Sequence, residues 1–157
     1  MNSGANGDIA AHVCNSFQFV IPVPLHRAAP LFGPEGERCW AGQHWNPEFL
    51  YPHPGKDVQG AVFTIQQGSR TTVWVNTLFD LDRGRMQYVS FIPGTVVSTV
   101  DVQLTALDPS STSVEVTYVR TALDVVANSE VQTMGRMDRE NGPHWQQAIE
   151  SCLTAQH

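Results

Sequence analysis

His44, Glu48 and His53 are the one set in this chain that resembles metal ligands. On a helix His44 and Glu48 would be neighbours four residues apart. Pro47 and the aromatic surroundings favour extended chain instead. On a strand the two share a face but sit roughly 13 Å apart at the usual rise, too far for one ion. No metal or cofactor is therefore expected. For acid–base work the candidates are His44, His53, His144, Asp80 and Glu48. His144 opens the last predicted helix, where the dipole disfavours an imidazolium, and it reads as a solvated first-turn residue. Tyr118 and Arg120 share strand parity with Val114 and Val116. An inward guanidinium would pair with a ligand carboxylate or steady an enolate, with Tyr118 moving a proton. No nucleophile elbow, phosphate-cradling loop or dinucleotide fingerprint occurs, and Gly33-Pro34-Glu35-Gly36 reads as a turn. No catalytic residue is assigned.

The bulk chemistry narrows the classes. A formal charge of -6 with nine scattered basic residues excludes a phosphate-backbone partner. Apolar residues make up 41% of the 157 and charged residues only 15%, which points to one compact domain. Cys14, Cys39 and Cys152 are an odd, widely spaced set. They read as free, mostly buried thiols in a reducing cytoplasm, with Cys152 as inert packing. The first ten residues lack a basic start and an apolar core, so no secretory signal is expected. No apolar run approaches a membrane span, so no membrane insertion is expected.

The elements that must position these side chains follow from periodicity. Trp145, Ala148, Ile149, Cys152 and Leu153 recur at helical spacing and form one apolar stripe, with Pro143 suited to the first turn. Residues 1–11 read as a disordered lead and 12–157 as one domain. Residues 13–22 alternate as a strand with Phe17, Phe19 and Ile21 on one face. Residues 25–32 and 34–40 read as two short, proline-limited helices, and 45–51 as the next extended segment. Strands follow at 60–67, 71–81, 85–92, 95–107 and 113–123, separated by short glycine- and proline-rich gaps. That order is an antiparallel meander. In 71–81 two sets compete for the inside: Val73, Val75 and Phe79 against Trp74 and Leu78, with Asn76 following Trp74. Residues 124–141 read as a partly helical lead, broken or kinked at Asn141-Gly142-Pro143.

Strand, two short helices, six strands and a long closing helix resemble the START-like, or SRPBCC, superfamily. Three local motifs carry the resemblance. Trp45-Asn46-Pro47-Glu48 looks like the tryptophan-bearing second strand of polyketide-cyclase-like members. Gly60-Ala61-Val62-Phe63, after Gly55, is similar to their glycine turn. Thr112-Ser113-Val114-Glu115-Val116-Thr117-Tyr118 looks like their last strand. The glycine-rich turn of the plant allergens is not reproduced. The resemblance implies an α+β helix-grip fold, a curved seven-stranded antiparallel sheet around the C-terminal helix, with a cavity between them for lipids, polyketides or other hydrophobic molecules. Trp45, Trp74, Tyr88, Tyr118, Arg120, Trp145 and Ile149 are the expected pocket residues, because aromatics with one polar atom give a wall both area and a hydrogen-bonding handle. Ala148, Cys152 and Leu153 are expected to pack on the sheet. The expected function is a soluble binding protein for a small hydrophobic molecule. A polyketide cyclase or dehydrase type of enzyme is the alternative, and a module that stimulates a chaperone ATPase the third. A homodimer has no residue-level support.

Overall fold

The computed structural model describes residues 9–156. The lead expected at 1–11 falls mostly outside them. Its last three residues are held in place: Asn128 accepts from the Ala11 amide (2.7 Å) and donates to the Ile9 carbonyl (2.9 Å).

Strand β1 (His12–Ile21) is followed by helix α1 (Leu25–Ala28) and two 3-10 turns, Ala29–Phe32 and Gly36–Cys39. Then come β2 (Glu48–Tyr51), β3 (Val62–Gln67), β4 (Arg70–Asp80), β5 (Arg85–Ile92), β6 (Val96–Asp108) and β7 (Ser111–Ala122). A third 3-10 turn, Val125–Ala127, leads to α2 (Asn128–Glu140) and α3 (Gly142–Ala155). The strands form one antiparallel sheet in the order β1-β7-β6-β5-β4-β3-β2. From β3 to β7 each step is a short turn, a longer loop (52–61) joins β2 to β3, and β1 is added beside β7. At the β4–β5 turn Gly84 has φ of 66°, and a Cβ there would come within 2.9 Å of Leu104. Only glycine combines that conformation with that approach.

Period-two alternation makes one face of the sheet apolar. Phe17, Phe19 and Ile21 of β1 pack with Val114 and Val116 of β7, Val100, Val102 and Leu104 of β6, Met86 and Tyr88 of β5, and Phe63 and Ile65 of β3. On β4 both competing sets are partly right. Trp74 packs against this core and Asn76 is fully buried, but the register slips between Asn76 and Leu78. One extra residue reverses parity, so Phe79 also turns inward, opposite Met86.

The chain ends in two helices rather than one uninterrupted helix. Asn141 carries the break and Pro143 lies at the start of α3, where its missing N–H leaves no bond unmade. Helix α2 covers the far end of β1 and β7 over a small cluster of Val96, Ala122, Ala127 and Val131. Helix α3 lays Ile149, Cys152 and Leu153 on the main core. Segment 45–51 is strand only from Glu48; Trp45 belongs to the loop before it.

Candidate functional site

A cavity of about 340 Å³ opens between the sheet, the 3-10 turn Gly36–Cys39 and the first half of α3. Its wall contains all four tryptophans of the chain: Trp40, Trp45, Trp74 and Trp145. Tyr88, Val100, Val102 and Tyr118 supply the sheet side. Glu37 and Ala41 come from the turn side, and Asn141, His144 and Ala148 from the helix side.

The wall is locked by its own hydrogen bonds. The short turn Ala29–Phe32 leaves carbonyls without helical partners. The Trp40 indole donates to the Leu31 carbonyl (2.8 Å), the Tyr88 hydroxyl to that of Phe32 (2.6 Å), and the Trp45 indole to that of Pro34 (2.9 Å). Three side chains of the cavity thereby satisfy three carbonyls of one segment. Arg38 shapes the loop carrying Trp45, donating to the Asn46 side chain (3.0 Å) and the Pro47 carbonyl (2.7 Å). Ring contacts complete the frame. Trp40 and Trp145 lie 4.9 Å apart, Trp145 meets Phe17 edge-on at 5.0 Å, and Trp74 stacks on Phe63 at 5.9 Å.

A disulfide joins Cys39 to Cys152, with Cα atoms 5.7 Å apart. This corrects the expectation of three free thiols; Cys14 alone is free, and exposed. The 113 residues between the two positions hid a pairing that the fold creates by laying α3 against the turn. The bond ties the segment bearing Glu37 and Trp40 to the helix bearing His144 and Trp145.

Glu37 is the one acidic residue of the wall. Burial pushes its carboxyl well above the usual range, and Asp57 nearby adds to that rise. Glu37 is half-buried in the structure and lines the cavity. Asp57 accepts from the Glu35 and Gly36 amides (2.8 and 3.1 Å), fixing the start of the turn, and is itself raised chiefly by burial. Burial raises the Tyr88 and Tyr118 hydroxyls, the latter partly opposed by Arg120.

Of the expected pocket residues, the structure brings Trp45, Trp74, Tyr88, Tyr118 and Trp145 onto this cavity. Arg120 and Ile149 are not on it. Arg120 does face inward with Tyr118, but the Asp138 carboxylate of α2 takes its guanidinium in two bonds (2.7 and 2.8 Å) and Ser98 a third (3.1 Å). It is therefore unavailable to a ligand carboxylate. Ile149 is fully buried in solid core, while Ala148 and His144 line the cavity. The helix is rotated by about one residue from the expected division. Glu37 and Trp40 were missed, although their three-residue spacing puts them on one face of a 3-10 helix. Among the described residues no group of three or more His, Cys, Asp or Glu comes together as a metal site, and His44, Glu48 and His53 do not line the cavity.

No protein-family model matches the chain, and no curated protein matches it by sequence. Solved structures do match. Protein XoxI from Bacillus cereus superposes with a TM-score of 0.68 at 14% identity, over 92% of this chain and 99% of that one. Norcoclaurine synthase from Thalictrum flavum gives 0.64 at 10%, over 100% and 94%. Its complex with dopamine and hydroxybenzaldehyde gives 0.63 at 11%, over 100% and 96%. Ara h 8.0201 gives 0.64 at 17%, over 92% and 99%. Such identities carry the architecture and no more. The sheet order, the short helices after β1 and the closing helix are those of the helix-grip fold.

Proposed function

We propose that this chain binds a small, largely apolar molecule in the cavity between the sheet and α3. The observation that carries the reading is the gathering of all four tryptophans and two tyrosines on one 340 Å³ space. That volume lies in the range of about 300–1,000 Å³ typical of small-molecule sites. Close packing would have filled it had the rings served only as core. On this fold norcoclaurine synthase has been seen with dopamine and hydroxybenzaldehyde, two small aromatic molecules, which supports ligands of that size. No helix of the described residues is long and apolar enough to cross a membrane. The bonded Cys39–Cys152 pair favours an oxidising compartment over the cytoplasm expected from the cysteine count.

Tryptophan quenching and thermal shift against fatty acids, flavonoids and simple aromatic amines, acids and alcohols test this reading. A ligand that quenches the wall and raises Tm supports it. No response to any compound refutes it.

A second reading, acid–base catalysis of a cyclase or dehydrase type, is favoured by one observation. Glu37, Tyr118 and His144 are titratable groups on the same cavity, and Glu37 is held toward its protonated form. A carboxylic acid kept neutral by burial is poised to give a proton. Arg120, committed to Asp138, is not part of that chemistry.

A further inference from the structure

Building on the ligand-binding reading above, we propose that the cavity selects an organic cation, an ammonium whose charge pairs with Glu37 and whose body packs against the tryptophan rings.

The sign of the site comes first. The lining contains one carboxyl group, that of Glu37, one imidazole, that of His144, and no lysine or arginine. The guanidinium stacked on Tyr118, that of Arg120, is consumed by Asp138 and Ser98. Among the described residues the Glu37 side chain makes neither a salt bridge nor a hydrogen bond, although it is deeply desolvated. A carboxyl so placed lacks a partner, and leaving such a group unpaired is costly. Asp57 behind it deepens the negative potential. A bound ammonium favours the ionised form of Glu37, whose proton passes to water, whereas an anion opposes that ionisation.

The direction of the donors comes second. The indole N–H groups of Trp40 and Trp45 and the hydroxyl of Tyr88 are all turned outward onto backbone carbonyls. These three side chains therefore offer the cavity ring surface rather than protons. Electron-rich ring faces attract cations, indole most strongly. The molecule already shows this behaviour at the edge of the same wall, where the Arg120 guanidinium sits 4.5 Å from the centre of the Tyr118 ring. Aromatic walls, one unpartnered acid and three donors turned away form a complementary set for a hydrophobic ammonium, with Tyr118, Asn141 and His144 left to meet its polar substituents.

Isothermal titration with phenethylammonium, phenethyl alcohol and phenylacetate, at one ionic strength, separates charge from shape. The native protein is expected to hold the ammonium most tightly and phenylacetate least. The substitution Glu37→Gln keeps the size of the side chain. It is expected to weaken the ammonium roughly 30-fold or more, the scale for truncating one side of a buried charge pair, and to leave the alcohol unchanged. Equal or tighter binding of the alcohol or phenylacetate by the native protein overturns the cation preference and leaves the cavity reading standing. Unchanged ammonium binding by Glu37→Gln also overturns it. Failure of all three compounds, with no response across the broader panel, overturns the cavity reading and this proposal together.

Discussion

Removing the Cys39–Cys152 disulfide should lower stability more than any single contact at the cavity. The bond closes 113 residues of chain. The loss of loop entropy in the unfolded state for a loop of that length gives ~5 kcal/mol at room temperature. A chain of 157 residues unfolds with an entropy of ~0.33 kcal/mol/K near its midpoint, from ~2.1 cal/mol/K per residue. The two together predict a fall in Tm of ~15 °C. Melting followed by circular dichroism, on Cys39→Ser/Cys152→Ser and on native protein with and without reductant, gives the number. Cys39 is exposed, so a reductant has a route to the bond. The double variant should also quench less steeply with any ligand, since the turn carrying Trp40 is no longer held to α3. A fall of less than ~5 °C would refute the entropic argument. Alkylation of Cys39 and Cys152 in the unreduced native protein would refute the bond itself.

Glu37→Gln should change stability in a pH-dependent way. The folded protein raises the Glu37 pKa, so its stability contribution is whole below the ordinary carboxyl range and is lost as pH rises through the raised value. Asp57 lies close enough to raise it further, and Tyr88, Tyr118 and His144 share the cavity wall. The variant should melt with the native protein near about pH 4 and above it near about pH 8; a constant difference across that window refutes the burial argument. Asp138→Ala strands the Arg120 guanidinium, whose side chain is 17% exposed beside an Asp138 of 4%, and should cost about 3–5 kcal/mol by urea unfolding. Replacing the pair together, Arg120→Met with Asp138→Leu, should recover most of that loss. A double variant no more stable than Asp138→Ala would show that the pair does more than neutralise itself.

Much of the architecture was legible in local chemistry. The alternation of Phe17, Phe19 and Ile21, the turn residues between strands and the stripe from Trp145 to Leu153 each encode one element, because side-chain period is a local property of backbone geometry. Five of the seven expected pocket residues line the cavity, Trp45 from a loop rather than from the expected extended segment. The parity argument for Arg120 also held, since it does face inward. What it then meets, Asp138, depends on where α2 settles. Strand β4 defeated simple parity because the slip after Asn76 is set by pairing with β5, not by its own residues.

The sequence by itself determined the element order, the apolar faces and the supply of aromatic rings, since periodicity and turn chemistry act over a few residues. Only the tertiary structure decided which polar groups those rings surround. Packing α3 against the turn Gly36–Cys39 closed the Cys39–Cys152 bond, brought His144 to the wall and placed Glu37 there without a partner. Contacts between positions more than a hundred residues apart leave no local pattern. A buried carboxyl becomes informative only once its missing neighbours are known.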